Sequence, residues 1–454
     1  AYKKKGVAVV VIPNDYGFAE IPDVSYSSVS PTDRKPKPMP EATDEEVDHV
    51  LAMLKQAKRP IIHVGRGIGA GGEKLVQLAK KLQIPITHTA LATGLIDDQF
   101  EGDLGSAMRV AMKASNEFFG AADLALIIGA NFPFGKALYG THDLKFIQVD
   151  ADEAMFGRHH HLDYGVWSDA TSFVEKMLER SSQAPESGWY KAAVADNQNW
   201  REYLEKLLTK ESDPLRFEAV YNELNNRADA NAIYAVDTGD NTINVVRYLH
   251  LTPQNKWTLS ALFASMGYGV PAAISAAINF KDRQVFNISG DGAFSMVMHD
   301  LVTQRKYHLP IINIVTSNEV LGFIKSEQAD EPMDYSGIDL EGQDFAMIAN
   351  GMGVESAVIT KSSEVKEAFD KAFAAQKAGR PFLIDARIVD ARSLPVEDLR
   401  VAIVDGKVVE TISPAYNQNP EMTQPKDLQD FFDSYDGHEL KPITYFLDQY
   451  HVEI

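Results

Sequence analysis

A carboxylate at Asp291 and a side-chain amide at Asn318 each stand where an apolar segment ends, and together they could hold a divalent cation and its phosphate ligand. Residues 285–288 (VFNI) run into Gly290-Asp291-Gly292, and residues 311–315 (IINIV) end at Asn318. The stretch 284–325 reads as a strand, a helix opening just after Gly292 and running to about His308, then a second strand. Two parallel strands joined by a helix end on the same edge of a sheet, where open α/β sheets bind ligands. Asp291 and Asn318 are therefore expected in one crevice. Magnesium is a hard ion that prefers oxygen donors and rests on one or two protein groups plus phosphate. A helix N-terminus beside it favours the anion. Gly-Asp-Gly alone could equally be a tight turn; the asparagine ending the next strand makes the pattern specific.

A second candidate is the run Gly65-Arg66-Gly67-Ile68-Gly69-Ala70-Gly71-Gly72, between a strand signal and a helix signal. Glycines there let backbone approach a dinucleotide phosphate, although a tight strand-to-helix turn needs them nearly as much. The run His159-His160-His161 does not make a metal site. Adjacent histidines in a regular element cannot all face one ion, so they are expected at the surface or near a cofactor.

These residues need sheets to position them. Thr43 and Glu46 form a capping box for a helix bearing Val47, Val50, Leu51 and Leu54 on one face. Strand and helix signals then alternate: a strand at 60–64, a helix from Glu73, strands at 84–87, 124–128 and 146–149. Residues 165–211 read as mostly helical and polar, anchored by Trp189 and Trp200. Alternation resumes with a helix at 217–225, a strand at 232–236, a helix at 267–277, the stretch 284–325, a strand at 354–359, a helix at 364–376 and a strand at 382–386. The tail holds a hairpin over 402–410, turning at Asp405-Gly406, then a loop rich in Pro and Asn and two short acidic helices. The expected class is α/β, with doubly wound parallel-sheet domains.

The 454 residues are too many for one core. No apolar run is long enough to span a bilayer and no signal peptide is visible. The absence of cysteine excludes disulfides and thiolate chemistry and fits a cytoplasmic enzyme. A net charge of −20 argues against nucleic acid or an anionic membrane as partner. Anionic ligands must then be held by glycine loops, Mg²⁺ and single arginines.

With Gly290-Asp291-Gly292, the spacer that follows and Asn318, the chain resembles the thiamine diphosphate enzymes. The resemblance implies that Asp291, Asn318 and the backbone carbonyl of Val320 ligate Mg²⁺. It implies that Gly290, the amides of Gly292 and Ala293, and Gly239 with Asp240 surround the diphosphate. Met266, in Leu262-Phe263-Ala264-Ser265-Met266-Gly267, would wedge under the thiazolium and bend the cofactor; a core methionine is the bland alternative. Within that group the chain resembles the pyruvate oxidase family of lactic acid bacteria along nearly its whole length. The resemblance rests on Ile324-Lys325-Ser326-Glu327-Gln328 and on Gly105-Ser106-Ala107-Met108-Arg109, Gly129-Ala130-Asn131-Phe132-Pro133-Phe134 and Gln148-Val149-Asp150-Ala151-Asp152. It implies an FAD-binding middle domain. Gly65 and Gly67 would lie near phosphates, Arg109 against the flavin or its phosphates, Asn131 by the cofactor, and Asp150 and Asp169 at the adenosine end. Glu327 would act near the aminopyrimidine and the bound substrate, and Phe323 would lie between thiamine and flavin. Thr238, Glu319 and the segment after Gln328 depart from that family's pattern.

The expected organisation is a remnant of an N-terminal pyrimidine-binding domain over 1–21, a linker over 22–42 and an FAD-binding domain over 43–182. A helical connection over 183–213, a diphosphate- and Mg-binding domain over 214–392 and a tail over 393–454 follow. The apolar run 6–13 (GVAVVVIP) suits the last strand of that first domain, or an edge strand of a later sheet. In the resembling family the first domain supplies a glutamate that activates the aminopyrimidine of the neighbouring subunit. The expectation is therefore a fragment, weak or inactive alone, of a protein with roughly 150 or more further residues, one ordinary domain. The implied activity is oxidative decarboxylation of pyruvate with phosphate and O₂ to acetyl phosphate, CO₂ and H₂O₂, in a homotetramer with active sites between subunits. An acetolactate synthase type, a quinone-linked decarboxylating flavoenzyme and a non-catalytic FAD-binding remnant are the alternatives. A quinone-linked enzyme would want a basic amphipathic C-terminal helix, and residues 427–454 are acidic.

Overall fold

Pro60–Val64 is buried at every residue, which a strand achieves only with neighbours on both edges and helices on both faces. It is the first strand (β1) of a parallel sheet. The computed structural model describes residues 9–22, 39–130, 144–329, 334–413 and 427–454. The sheet continues with β2 (Ile86–His88), β3 (Asp103–Ser106), β4 (Leu124–Ile128), β5 (Lys145–Asp150) and β6 (Tyr164–Trp167). Its order is β3-β2-β1-β4-β5-β6, all parallel. That is the order of dinucleotide-binding sheets, and it reverses between β1 and β4.

The second sheet holds β7 (Ile233–Val236), β8 (Lys256–Thr258), β9 (Val285–Gly290), β10 (Ile311–Ser317), β11 (Glu355–Ile359) and β12 (Phe382–Arg387). Its order is β11-β12-β10-β9-β7-β8, again all parallel, and it reverses between β7 and β9. The expected doubly wound α/β architecture is present, with one switch point in each sheet. The tail adds the hairpin β13 (Leu399–Val404) and β14 (Lys407–Ile412) and helices Leu428–Asp433 and Ile443–Gln449.

One helix joins the two cores. Gly188–Leu208 buries Trp189 among Phe118, Phe119 and Phe446 beside the first sheet. About three turns on, it buries Trp200 among Tyr221, Tyr248 and Phe432 beside the second. Arg247 closes the same junction from helix Asp240–Tyr248. It donates to the carbonyls of Ala111 at 3.0 Å and Leu394 at 2.8 Å, and lies 3.7 Å from Glu397. Arg247→Met leaves two buried carbonyls without donors. It should lower the unfolding free energy by about 2–3 kcal/mol, read from the urea midpoint. A loss within about 0.5 kcal/mol, the range of surface substitutions, would show that Arg247 is not a strut.

Two expectations fail. The apolar run 6–13 is not a strand where it is described. Val9, Val10, Val11 and Ile12 are 70–84% exposed, and Asn14–Phe18 is a short 3-10 helix. Among the described residues no strand pairs with this segment, so water keeps its N–H and C=O groups. This segment falls in a compact unit of its own, Ala1–Met39, separate from the unit Pro40–Ile454. The helix expected from Gly292 to His308 is broken into Asp291–Ser295, a 3-10 turn at Met298–Asp300 and Leu301–Lys306. Ser295 Oγ donates back to the Asp291 carbonyl at 2.7 Å, a side-chain bond that competes with the helix ladder. The stretch 165–211 is mostly helical as expected, in Ala170–Arg180 and Gly188–Leu208, although it opens in the strand β6. Among the described residues no helix is long and apolar enough to cross a membrane.

Candidate active site

β9 and β10 pair in register, with Thr316 opposite Gly290, so the residues that follow each strand meet. The Asp291 carboxylate accepts from the backbone N–H groups of Gly292 at 2.7 Å, Asn318 at 3.1 Å and Glu319 at 2.7 Å. The Ser317 hydroxyl is 3.4 Å away. Asp291 and Asn318 therefore share one crevice, as their spacing implied. Asp291 is buried, and burial pushes its carboxyl up against the pull of those amide donors. Among the described residues no lysine or arginine pairs with it. The Asn318 side-chain oxygen accepts from the Val320 N–H at 3.3 Å, and the Val320 carbonyl from the Gly322 N–H at 2.9 Å. Glu319 takes a positive φ of 59° to turn the chain there. The helix behind Asp291 has only five residues, and its Gly292 N–H is turned onto Asp291 itself.

The other side of the crevice is the end of β7. Gly239 has φ 131° and faces open space, so conformation rather than crowding requires the glycine. Asp240 opens helix Asp240–Tyr248, and a methyl group on Gly322 would collide with its carboxylate. Burial, reinforced by Asp390, pushes the Asp240 carboxyl up to about 6. A methyl group on Gly292 would meet Leu321, Leu340 and Met266, which places Met266 on the crevice wall next to Gly292. Sequence reasoning passed over Asp237. Its buried carboxylate accepts from the N–H groups of Tyr268 at 3.2 Å and Gly269 at 3.0 Å and from Ser289 Oγ at 3.2 Å. It thereby fastens the segment carrying Met266 to β7 and β9. Its one sequence signal was a carboxylate closing an apolar strand.

Glu327, Phe323 and Arg109 also come together. Phe323 and Glu327 lie one turn apart on helix Gly322–Ala329. The Arg109 guanidinium lies over the Phe323 ring, 4.5 Å from its centre, and donates to Glu327 Oε1 at 3.1 Å. Arg109 belongs to the loop after β3, so a residue of the first sheet's unit meets the helix that follows β10.

Residues 47–177 match the central domain of the thiamine pyrophosphate enzymes, and residues 237–386 match their C-terminal, thiamine pyrophosphate-binding domain. The chain is also similar to the pyruvate oxidase of Lactiplantibacillus plantarum, 36% identical over 452 residues, 99% of this chain and 72% of that protein. This chain belongs to the thiamine pyrophosphate enzyme family. Two other family members it resembles are a putative thiamine pyrophosphate-containing protein, YdaP, of Bacillus subtilis and the large subunit of acetolactate synthase isozyme 1 of Escherichia coli. The first is 31% identical over 396 residues, 87% of this chain and 67% of that protein. The second is 28% identical over 330 residues, 72% of this chain and 58% of that protein.

The donor set suits the family's cofactor. A carboxylate, a side-chain amide oxygen and a backbone carbonyl are hard oxygen ligands for Mg²⁺, and the buried Asp291 carboxylate lacks a cationic partner among the described residues. The crevice of the first sheet is built differently. Methyl groups on Gly65 or Gly67 would collide with Gly129 and, at Gly65, with Ala130. The Gly67 N–H donates to the Gly129 carbonyl at 3.0 Å. These glycines thus serve the close packing of the turns that follow β1 and β4 at the switch point. Asp150 Oδ1 accepts from the Asp152 N–H at 2.8 Å, and Asp169 caps helix Ala170–Arg180 through Ser172. Asn131 lies outside the described residues. His160 stacks on Phe146, with ring centres 4.4 Å apart.

Proposed function

We propose that this protein is a pyruvate oxidase, using thiamine diphosphate, Mg²⁺ and FAD to convert pyruvate, phosphate and O₂ to acetyl phosphate, CO₂ and H₂O₂. The observation that carries the reading is the meeting of Arg109 and Phe323–Glu327 beside the Asp291–Asn318 crevice, which joins the dinucleotide-type sheet to the metal site. The similarity to a pyruvate oxidase across 99% of the chain supports it.

When bound, thiamine diphosphate supplies the carbanion chemistry of decarboxylation and FAD a two-electron acceptor. The chain's own part is positioning. Asp291, Asn318 and the Val320 carbonyl would hold the metal. Gly239, Asp240, Gly290, Gly292 and Ala293 would surround the diphosphate, and Met266 would set the cofactor's bend. Glu327 would orient the substrate and handle its proton. Phe323 would keep water out between the two cofactors. Gly65, Gly67, Arg109, Asn131, Asp150 and Asp169 are the proposed FAD contacts. A homotetramer with sites between subunits is part of the reading. Leu262 and Phe263, 63% and 87% exposed, and Met296 and Met347, 57% and 70% exposed, are large apolar side chains left open to solvent in this domain, which favours a covered surface in an assembly.

The protein purified from its natural source, given pyruvate, thiamine diphosphate, Mg²⁺ and FAD in air, should release peroxide only when phosphate is present. The similarity to an acetolactate synthase keeps carboligation as the second reading. Acetolactate without peroxide would establish it and overturn the oxidase.

A further inference from the structure

The loop that presents Arg109 is held on both sides. Met108, at φ 84°, is clamped by the Asn116 side chain, which accepts from the Met108 N–H at 2.6 Å and donates to its carbonyl at 3.0 Å. On the other side Ala111 is held by Arg247, from the helix that opens at Asp240. The guanidinium therefore starts from a fixed backbone and crosses to the second sheet's unit. There it meets one face of helix Gly322–Ala329, because positions four apart on a helix are neighbours. The ring of Phe323 supports its flat side and the Glu327 carboxylate takes a donor from its edge. A planar guanidinium suits both contacts at once; an ammonium does not. The Arg109 side chain is only 16% exposed and that of Glu327 31%, so water competes less for this pair than for a surface ion pair.

We propose that Arg109 is the positioning residue for Glu327: it fixes the direction of the carboxylate, so that the geometry of one unit's acid is set by the other unit. This rests on the reading above that Glu327 acts on the bound substrate. It gives the first sheet's unit a part in the chemistry beyond holding a nucleotide.

The test is a double-mutant cycle on the whole chain with Arg109→Met, Glu327→Gln and the pair. In the loaded protein each single variant should lower kcat by about 100-fold, the cost of misplacing a reacting group by about an ångström. Affinity for thiamine diphosphate should stay within about twofold, because neither residue touches the diphosphate. The double variant should be no slower than the slower single one. Added guanidinium ion should restore part of the rate of Arg109→Ala and none of that of Glu327→Gln. Losses that multiply in the double variant would overturn the proposal. The same cycle is read in the cofactor-free protein from the urea midpoint, where the double variant should fall no lower than the lower single one. Independent, additive shifts there would overturn the proposal as well. If the unaltered protein turns over no pyruvate, the functional reading fails, while the cofactor-free cycle still decides whether Arg109 holds Glu327.

Discussion

Asp291→Asn should lower the affinity for thiamine diphosphate and Mg²⁺ by more than about 100-fold. Losing only an outer partner of a metal ligand costs about 10–100-fold, and Asp291 is the proposed anionic ligand itself. The other proposed donors, the Asn318 side chain and the Val320 carbonyl, are neutral, so the substitution removes the crevice's one charge directed at the ion. The effect separates from misfolding. The carboxylate spreads its two oxygens over three backbone N–H groups; an amide keeps one oxygen and turns an N–H toward another N–H. That should cost about 1–3 kcal/mol in the cofactor-free protein and leave its far-ultraviolet spectrum intact. Saturating cofactor separates the two again. At 100 times its dissociation constant a ligand stabilises the native state by about 2.7 kcal/mol, and the variant should show almost none of this at the same concentration. Val320→Ala should bind normally, because only its backbone carbonyl is used. Unchanged affinity in Asp291→Asn, measured by titration calorimetry, would remove the metal reading of this crevice.

That site was legible because parallel topology decides where strands end. β9 and β10 are apolar in most positions, as strands covered on both faces must be. Once they are recognised, Asp291 and Asn318 have to sit on one edge. The same argument found β1, β4 and β12. It missed β3 (Asp103–Ser106), which has a single apolar side chain at Leu104 and hides Asp103 beside His88 at 3.6 Å. It missed β8, three residues at a sheet edge. It also credited 6–13 with a strand, because an apolar run says what a segment could bury and not whether a partner is there. The contact between Arg109 and Glu327 joins residues 218 apart through two different sheets, and no local period can pair such positions. The glycines at 65 and 67 show a different limit. Their pattern is right for a crevice at a switch point, but the backbone they admit in this structure is that of Gly129 and Ala130. Whether a glycine's missing side chain makes room for a phosphate or for a neighbouring turn depends on how the turns after β1 and β4 approach each other, which spacing does not encode.

Helix Lys113–Ala121 is the plainest case of polarity misleading a reader, and it carries the largest expected effect on stability. Its sequence, KASNEFFGA, has the polar residues of a solvent face, yet every residue is buried. Lys113 Nζ donates to Glu117 Oε2 and to Asp196 Oδ1, each at 2.8 Å, and all three side chains are wholly buried. Glu410 of β14 completes the cluster, hydrogen-bonded to Glu117 and accepting from the Ile443 N–H at 3.0 Å. Burial, with Asp196 and Glu410 nearby, pushes the Glu117 carboxyl well above the carboxylate range, and burial raises that of Glu410. A proton held between these two carboxyls would give Glu117 Oε1 and Glu410 Oε1 the partner they otherwise lack. Burial alone would push Lys113 down, but Asp196, Glu117 and Glu410 more than reverse it and raise it. Lys113→Met keeps the volume and strands the carboxylates, so about 3–5 kcal/mol of stability should be lost at neutral pH. The sign of the pH dependence follows from the carboxyls. Glu117 in the folded protein holds its proton above its unfolded value of 4.5, so the native state binds more protons there and stability falls as pH rises. Lys113, with its folded value above 10.5, offsets this at all pH values below 10.5 in the unaltered protein and not in the variant. The deficit of Lys113→Met should therefore shrink as pH is lowered toward 4.5, in urea unfolding followed across that range. Glu117→Gln, which swaps a protonated acid for a neutral amide of the same shape, should stay within about 1 kcal/mol of the unaltered protein. A deficit for Lys113→Met that ignores pH would mean that the cluster holds no shared proton, and that packing against Phe432 and Phe446, 5.8 Å from the ammonium, is what ties the tail to this helix.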